Sequence, residues 1–418
     1  MLIEPGNLMD QKARIFVIGV GGGGGNALNR MIEEGMTNVD FVAMNTDAQD
    51  LEYNNSQTKL QIGKELTKGL GAGANSDIGK QAVEENKEII VKTLRNANMV
   101  FITAGMGGGT GTGAAPAIAR ISKELGILTV GVVTRPFKFE GPMRKNRAEE
   151  GILELKKNCD TVLVIPNETL LEITDHSTTV MDTFKIADTV LLQATKGISD
   201  LINVPGLINL DFADVSRVMT NGGDAIMGTG RARGEERAIL AANQAINSPL
   251  LQNKSIKGAK GVLINITSSD DLGIHELEQA SNIIYKAAGY DSDEQIQQDH
   301  GEIIHGCTID NSLKDEVRVT VIATGIDKAP DSNLESDDNY IKSENLDRYT
   351  MPDHQYNNPQ TSINIINNND ESTLPTNQED KVDEINSGVN SELDNEDSIP
   401  VFGDDLDVPA YLRNRNID

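Results

Sequence analysis

The feature that most constrains this chain is a glycine-rich stretch between an apolar run and a helical pattern. The apolar run at 101–104 predicts a buried strand, and the pattern at 114–125 predicts a helix with Pro116 in its first turn. The segment between them, 105–113, contains six glycines. Glycine lets another molecule approach the main chain closely, and a helix start offers unpaired N–H groups to an anion. The stretch therefore predicts a phosphate-binding loop and not a flexible linker.

Two more glycine-rich segments follow the same plan earlier in the chain. Residues 13–20 predict a buried strand, and five consecutive glycines at 21–25 lead through Asn26 into a helix. The third segment, 68–75, precedes a helical pattern over 77–96. Further strands are expected at 39–44, 126–133 and 161–165. Strands that alternate with helices predict a parallel sheet, so the three glycine-rich segments would meet at one edge and bind one nucleotide.

A helical pattern over 180–203 divides the chain into two predicted domains. It is long enough to span about 30 Å, and a loop at 206–214 follows it. A second α/β segment then extends to about residue 325. Its expected strands lie at 225–227, 261–266, 302–307 and 317–323, and its expected helices lie at 235–246 and 274–288.

The expected fold class is α/β. It combines a Rossmann-like parallel-sheet nucleotide-binding domain, a long central helix, a second and smaller α/β domain, and a disordered acidic C-terminal tail. The expected boundaries are a leader at 1–12, the nucleotide-binding domain at 13–179, the helix at 180–203, the second domain at 204–326, an acidic linker at 327–398 and a terminal peptide at 399–418.

Charge and cysteine content exclude several classes of protein. The formal net charge is -27, and from residue 327 onwards the chain holds 22 acidic and 6 basic residues. Such an acidic chain is unsuited to nucleic-acid binding. Cys159 and Cys307 are too isolated for a disulfide framework or a metal site, and no apolar run is long enough to span a membrane. We expect a soluble cytoplasmic protein with no metal-binding cluster, no nucleic-acid partner and no direct membrane insertion.

Two kinds of nucleotide chemistry fit the glycine-rich segments. Gly19, Gly21 and Gly24, with Asp47 further on, match the dinucleotide fingerprint of a nicotinamide-dependent oxidoreductase. That interpretation leaves the glycines at 107–113 without a role, and none of these segments contains a histidine to donate a proton. The second possibility is that the chain is a nucleoside triphosphatase. Since no Gly-x4-Gly-Lys-Ser/Thr motif occurs, backbone N–H groups would hold the phosphates without a P-loop lysine.

Several longer motifs favour the second kind. The loop Gly107-Gly-Gly-Thr-Gly-Thr-Gly113 is accompanied by motifs at 19–26, 45–49, 71–75, 139–141, 209–214 and 407–412. In content and order they resemble the tubulin/FtsZ GTPase family, and above all its bacterial cell-division branch. The resemblance covers residues 10–325 and the terminal peptide. It implies a cytoskeletal GTPase that binds GTP or GDP with Mg²⁺, polymerises head-to-tail and forms the contractile division ring at the septum.

The resemblance also implies which residues contact the nucleotide. They are Gly21, Gly22, Gly23, Gly24, Gly25, Asn26, Asn45, Ala72, Gly73, Ala74, Gly107, Gly108, Gly109, Thr110, Gly111, Thr112, Gly113, Glu140, Arg144, Asn167, Phe184 and Asp188. The segment 72–74 would cover the γ-phosphate, and Glu140 and Arg144 would contact the ribose. Phe184 would stack on guanine, and Asp188 would accept hydrogen bonds from its N1–H and exocyclic amine. From the residues alone, Asp188 is a solvated helix carboxylate, and 45–47 can equally form a turn and helix cap.

Pro142 and Met143 depart from the family, which usually carries basic residues there. This departure leaves Arg144 alone with the ribose-side contact.

The motif at 209–214 supplies the catalytic residues that the resemblance implies. Asn209 would help to place the γ-phosphate, and Asp211 and Asp214 would orient and polarise the attacking water. In the family this loop completes the active site of the next subunit, so hydrolysis would require assembly. A non-hydrolysing GTP-binding scaffold of the same fold is the alternative. The peptide from Asp404 to Arg415 would bind division proteins and membrane anchors at the mid-cell division site.

Overall fold

The computed structural model describes residues 12–326 except 176, 205, 209, 252–253 and 291–300. The expected catalytic residue Asn209 lies outside these described residues. So do the leader apart from Lys12, the acidic linker and the terminal peptide.

Strands and helices alternate through the first half of the chain. These elements are β1 (Ile15–Val20), α1 (Gly21–Glu33), β2 (Asp40–Asn45), α2 (Ala48–Glu52), β3 (Thr58–Gln61), α3 (Lys64–Thr67), α4 (Ser76–Glu85), α5 (Lys87–Leu94), β4 (Met99–Gly105), α6 (Thr110–Glu124), β5 (Leu128–Arg135), α7 (Pro142–Asn158), β6 (Thr161–Pro166), α8 (Asn167–Leu170) and α9 (Val180–Asn203). The second half contains β7 (Gly206–Ile208), α10 (Phe212–Met219), β8 (Gly223–Arg233), α11 (Arg237–Ile246), β9 (Gly261–Ser268), α12 (Ile274–Ala288), β10 (Glu302–Ile309) and β11 (Glu316–Thr324).

The strands of the described residues form one hydrogen-bonded sheet in the order β3-β2-β1-β4-β5-β6-β8-β11-β9-β10-β7. The strands from β3 to β6 are parallel, which confirms the predicted parallel sheet. The pairing of β6 with β8 is also parallel, but on β6 it extends only from Thr161 to Leu163. Beyond it, β11 is antiparallel to both β8 and β9. The second half is therefore a mixed sheet that a short pairing joins to the first.

Alternate residues of the central strands face two different layers of helices. Ile15 and Val17 of β1 belong to a core shared with α1 and α9, whereas Phe16 and Ile18 belong to a core shared with α4, α6 and α7. Burial on both faces is typical of parallel strands and accounts for their continuous apolar sequences. A third core in the second half lies against α11 and α12.

The predicted central helix is observed as α9, with the bounds Val180–Asn203. The hydroxyl of Thr179 caps its start by accepting a hydrogen bond from the backbone N–H of Asp182 at 3.1 Å. The core around α9 includes Leu263 of β9 and Ile322 of β11 as well as the first-half strands. The helix therefore packs against strands of both halves.

Two predictions about the glycine-rich segments are wrong in detail. The glycines at 21–25 form the first turns of α1 and are not a loop before it. Similarly, α6 begins at Thr110, so Pro116 lies inside the helix and not in its first turn. Glycine has a low helix propensity, but the close packing of these segments on one another overrides it.

Two other boundary predictions are also wrong. The predicted helix over 77–96 is two helices that meet at Asn86, whose side chain accepts a hydrogen bond from the backbone N–H of Gly63 at 2.7 Å. The predicted loop at 206–214 contains β7 and the start of α10, because Asp211 caps that helix.

Both cysteines are buried, and neither forms a disulfide. Burial raises the pKa of the Cys159 thiol to about 12, so this thiol stays protonated near neutral pH. In the part of the chain that the structure describes, none of the helices combines the length and the apolar content needed to cross a membrane.

Candidate functional site

The three glycine-rich segments meet at the carboxyl edge of the parallel strands, as the sequence predicts. A Cβ atom added to Gly23 would lie 3.2 Å from Cα of Gly105, and one added to Gly21 would lie 3.0 Å from the backbone N of Gly111. The third segment packs on the second, because a Cβ atom on Gly109 would lie 2.9 Å from the backbone N of Asn75. Side chains at these positions would force the segments apart, which explains the need for glycine.

Two helices start at this edge. α1 begins at Gly21 directly after β1, and α6 begins at Thr110 shortly after β4. The first N–H groups of each helix have no partner within the helix, and the positive end of the helix dipole favours an anion. Gly22 and Asn26 are exposed on α1, and a Cβ atom on Gly108 would meet nothing within 4 Å. Open space lined by backbone therefore lies beside both helix starts.

The two threonine hydroxyls of the second segment are engaged inside the protein. Oγ1 of Thr110 lies 2.6 Å from Oγ1 of Thr46, and Oγ1 of Thr112 accepts a hydrogen bond from the backbone N–H of Gly107 at 2.8 Å. Both threonine side chains are buried. They fix the shape of the loop, and the backbone N–H groups beside it are available to a phosphate. Other predicted contact residues that are buried among the neighbouring segments are Gly21, Gly24, Asn45, Ala72, Gly107, Gly109, Gly111 and Gly113.

A carboxylate and a guanidinium at the start of α7 lie beside the second segment. Oε1 of Glu140 accepts a hydrogen bond from the backbone N–H of Phe137 at 2.9 Å, and its Oε2 pairs with Nε of Arg144 at 3.0 Å. Arg144 packs on Gly107, where an added Cβ atom would lie 2.6 Å from its Cγ. The structure therefore brings Glu140 and Arg144 to the loop at 107–113.

Aromatic rings and a buried amide lie near the start of α9. The ring of Phe137 stacks on Phe139 with centroids 5.0 Å apart and meets Phe184 edge-on at 5.4 Å. Phe184 is 40% exposed, so part of its ring is open to a ligand. Asn167 is buried, and its Oδ1 has no hydrogen-bond partner among the described residues. A buried acceptor without a donor is unfavourable, so this oxygen is available to a donor from water or from a bound molecule.

Asp188 on α9 is a half-buried carboxyl with an unusual pKa. Burial raises its pKa to about 7, against the opposing effect of Arg30 on α1. Arg30 is itself paired with Glu34 at 2.9 Å, so Asp188 shares the charge of Arg30 with that carboxylate. A carboxyl that titrates near neutral pH in such a setting is a candidate for ligand recognition.

The segment at 72–74 is held in an unusual backbone conformation. Ala74 has a φ of 60°, which residues other than glycine rarely adopt. Nη1 of Arg147 on α7 donates a hydrogen bond to the carbonyl oxygen of Ala74. Sequence reasoning missed Arg147, because nothing around it on α7 distinguishes it from a solvated helix cation. It also missed Asp50, whose Oδ2 accepts a hydrogen bond from Nδ2 of Asn45 at 3.1 Å.

The predicted catalytic carboxylates lie at the other end of the molecule. Asp211 accepts a hydrogen bond from the backbone N–H of Asp214 at 2.8 Å, and Asp214 pairs with Arg217 at 3.3 Å. The α10 helix that carries Asp214 lines a cleft with Leu128, at the amino end of β5, whereas the glycine-rich segments follow carboxyl ends. Along α9, the distance from Phe184 to its last residue is roughly 30 Å.

The two ends therefore offer different chemistry. The carboxyl edge can hold the phosphates, sugar and base of a nucleotide through backbone N–H groups, a carboxylate and an aromatic ring. The carboxylates suited to activating water lie away from that edge in the same chain.

Comparisons with known proteins agree with this geometry. Residues 14–175 match the family model described as Tubulin/FtsZ family, GTPase domain, and residues 223–327 match FtsZ family, C-terminal domain. The chain is similar to an empty FtsZ dimer from M. jannaschii, with 45% sequence identity, a TM-score of 0.71, and coverage of 76% of this chain and 90% of that one.

Two structures from Haloferax volcanii show a likeness of fold alone. They are a GDP-bound monomer of CetZ1, at 19% identity and a TM-score of 0.64, and a GTPγS-bound protofilament of CetZ2, at 18% identity and a TM-score of 0.61. Each similarity covers 76% of this chain, with 96% of the CetZ1 chain and 94% of the CetZ2 chain.

Proposed function

The chain belongs to the FtsZ branch of the tubulin/FtsZ GTPase family, and from this premise we propose that it is an assembly-stimulated GTPase. It binds GTP or GDP at the carboxyl edge of the parallel strands, polymerises head-to-tail and hydrolyses GTP at sites that two adjacent subunits form. In the cytoplasm of a dividing cell, its filaments form the ring at the mid-cell septum, and the peptide from Asp404 to Arg415 recruits division proteins and membrane anchors.

The residues at the carboxyl edge fit a guanine nucleotide. The open space beside Gly108 admits phosphates to the backbone N–H groups of two helix starts. The unpartnered Oδ1 of Asn167 needs a donor, which a ribose hydroxyl or a base N–H supplies. When ionised, Asp188 can accept two parallel hydrogen bonds from N1–H and the exocyclic amine of guanine. Adenine offers no matching pair of donors, so Asp188 favours guanine.

The observation that carries the proposal of a shared site is the distance between the two ends. From Phe184 to its last residue, α9 extends roughly 30 Å. The α10 helix that carries Asp214 lines a cleft at the amino end of β5, so a nucleotide at the carboxyl edge does not reach these carboxylates in the same subunit. A second copy stacked head-to-tail would bring its 209–214 loop to the γ-phosphate, and heterologous contacts of this kind give filaments. The empty FtsZ from M. jannaschii is a dimer, which agrees with contacts between copies.

Exposed apolar side chains at both ends support the same arrangement. Met143 at the start of α7 is 71% exposed and Met181 at the start of α9 is 69% exposed, both beside the nucleotide edge. At the other end, Leu207 of β7 is 63% exposed. Large apolar side chains of this kind are typical of surfaces that a partner covers.

In the assembled site, the carboxylates act on the attacking water. Asp211 and Asp214 would accept its hydrogen bonds and orient it for in-line attack on the γ-phosphate, while the N–H groups at 108–111 stabilise the charge on the phosphate oxygens. In the free subunit, Asp211 caps α10 and Asp214 pairs with Arg217. Docking must therefore redirect these two carboxylates towards the nucleotide, which couples hydrolysis to assembly.

Mg²⁺ fits this site as a companion of the triphosphate. The described residues include no cluster of three or more side chains that could hold a metal ion. The carboxylate of Asp50 offers a hard oxygen ligand beside the first glycine-rich segment. Its Oδ2 would lie 2.9 Å from a Cβ atom added to Gly22. When bound, Mg²⁺ would neutralise the oxygens of the β- and γ-phosphates.

The test is phosphate release from GTP and from ATP across a protein dilution series, with light scattering recorded alongside. Activity per molecule should rise steeply with concentration for GTP and stay absent for ATP. Asp214→Ala should keep GTP affinity but lower turnover at least about 100-fold. Glu84→Ala, which removes a comparable exposed ion pair with Arg120, serves as the control and should change neither.

A mixing experiment sharpens this test. Asp214→Ala retains an intact nucleotide edge, and Gly108→Val, whose nucleotide edge is blocked, retains intact carboxylates. An equal mixture should recover turnover that neither variant has alone. Activity per molecule that stays constant down to the lowest concentration, or loss of GTP binding in Asp214→Ala, would refute the shared site. Light scattering without phosphate release would instead indicate the non-hydrolysing scaffold.

A further inference from the structure

We propose that Arg147 is a positioning residue that holds the 71–75 loop over the phosphate site and thereby favours a triphosphate over a diphosphate. The proposal rests on the proposed function, because it assigns a role within the same nucleotide site.

The loop is held from two sides. On its inner side, a Cβ atom added to Gly109 would lie 2.9 Å from Cβ of Ala72, so the loop packs closely on the second glycine-rich segment. On its outer side, Nη1 of Arg147 donates a hydrogen bond to the carbonyl oxygen of Ala74. Nε of the same guanidinium donates to the carbonyl oxygen of Met143 at 3.2 Å, which anchors the side chain on its own helix. Arg147 is therefore a fixed donor and not a freely moving surface cation.

The backbone of this loop needs an external hold. Gly71, Gly73 and Ala74 all have positive φ, and Gly73 and Ala74 are exposed. Within the loop, the backbone N–H of Asn75 donates to the carbonyl oxygen of Ala72 at 3.0 Å. Exposed backbone with little packing opens easily, so a single charge-assisted hydrogen bond can shift the balance between closed and open loop.

The charge on Arg147 is available for this role. Its neighbour Arg144 is neutralised by Glu140 at 3.0 Å. Within the described part of the chain, no carboxylate pairs with Arg147. The first residues of α7, Pro142 and Met143, are uncharged. Arg147 therefore supplies positive charge one turn further along the helix, where it reaches the loop and not the ribose side.

The expected effect is specific to the triphosphate. Under the proposed function, the 72–74 segment covers the γ-phosphate, and a diphosphate ends before it. A ligand shifts a conformational equilibrium only when its contacts differ between the two states. Opening the loop therefore weakens GTP binding in proportion to the closed population that is lost, while GDP binding does not depend on it.

The proposal is tested first without nucleotide, by amide hydrogen exchange at Asn75 in the full chain. Loss of this charge-assisted hydrogen bond lowers the ratio of closed to open loop about tenfold, so Arg147→Met should speed this exchange towards the rate of an unstructured amide. Arg147→Lys keeps the charge and one donor, so it should restore part of the protection. Lys145→Met removes an exposed cation from the same turn of α7 and should leave the exchange unchanged.

Equilibrium binding of GTP and GDP, below the concentration at which light scattering appears, is the second measurement. Arg147→Met should weaken GTP by the factor by which the closed fraction of the loop falls, up to about tenfold, and should leave GDP unchanged. Equal weakening of both nucleotides, or unchanged exchange at Asn75, would overturn the role of Arg147 while leaving the GTPase proposal intact. Failure of the wild-type protein to bind either nucleotide would instead overturn the proposed function.

Discussion

Replacing Asp188 by asparagine should stabilise the nucleotide-free protein and at the same time abolish its preference for guanine. Burial raises the pKa of this carboxyl from 3.8 to about 7, so the folded protein binds the proton more tightly than the unfolded chain does. The stability that this proton contributes is complete below about pH 4 and is lost as the pH rises through about 7. Asparagine is uncharged at every pH and avoids the cost of burying a carboxylate.

The size of the effect follows from the same pKa change. A rise from 3.8 to about 7 corresponds to roughly 2 kcal/mol at pH 5 and roughly 4 kcal/mol at pH 8. Asp188 is only half-buried, and water screens its charge, so about half of each figure is expected. Asp188→Asn should therefore raise the free energy of unfolding by about 1 kcal/mol at pH 5 and by about 2 kcal/mol at pH 8.

The assay is urea denaturation of both proteins from pH 5 to pH 8 without nucleotide, followed by binding of GDP. Because Asp188 must be ionised to accept from guanine, the wild-type affinity should fall about tenfold from pH 8 to pH 6. Any change of GDP affinity with pH that remains in the asparagine variant comes from the titrating phosphates. At pH 8, the variant should bind GDP at least about tenfold more weakly than the wild-type protein does. A stability difference that is the same at every pH, or full guanine affinity in the variant, would refute this reasoning.

Two other substitutions separate binding from stability. Gly108→Ala should keep the free energy of unfolding within about 0.5 kcal/mol, because an added Cβ atom meets nothing within 4 Å. It should nevertheless weaken GTP at least tenfold in calorimetric titrations; unchanged affinity would mean that this space is not the phosphate site. Arg237→Met should cost roughly 2–3 kcal/mol in urea denaturation, because the buried arginine pairs with Asp271 and Glu276 at 3.0 Å each. GDP affinity should not change, and an unchanged unfolding midpoint would show that the network contributes no stability.

The elements that the sequence predicts well are those whose signal is local. The strands β1 and β4 are continuous apolar runs, and their positions follow from the chain itself, although β1 begins two residues later and β4 two residues earlier than predicted. The helix α9 has the predicted bounds, and Thr179 caps its start. The glycines at 21–25 were harder to interpret. Glycine has a low intrinsic preference for helix, so the local sequence favours a loop. The residues are nevertheless helical, and they pack closely on the segment around Gly105.

The candidate site also combines features that the local sequence predicts with features that it does not. The glycine-rich loop at 107–113 was predictable because close backbone approach requires glycine at fixed positions. The pKa of Asp188 depends on how deeply α9 is buried, and the role of Arg147 depends on a carbonyl 73 positions away in the chain. Neither has a signal in the local sequence. The distance between Asp211 and the nucleotide edge likewise follows from the direction of α9 and not from spacing along the chain.

The length of α9 has a consequence for the ends of any head-to-tail row of subunits. In the arrangement that we propose, each junction would join the nucleotide edge of one copy to the carboxylates of the next, so a row of n copies would contain n − 1 complete sites. At one end, a bound triphosphate has no neighbour to attack it, whereas at the other end a pair of carboxylates has no nucleotide to act on. The two tips are therefore chemically different. A copy added at the tip with the exposed nucleotide would keep its own nucleotide intact until the next copy arrives, whereas a copy added at the other tip would complete a site at once.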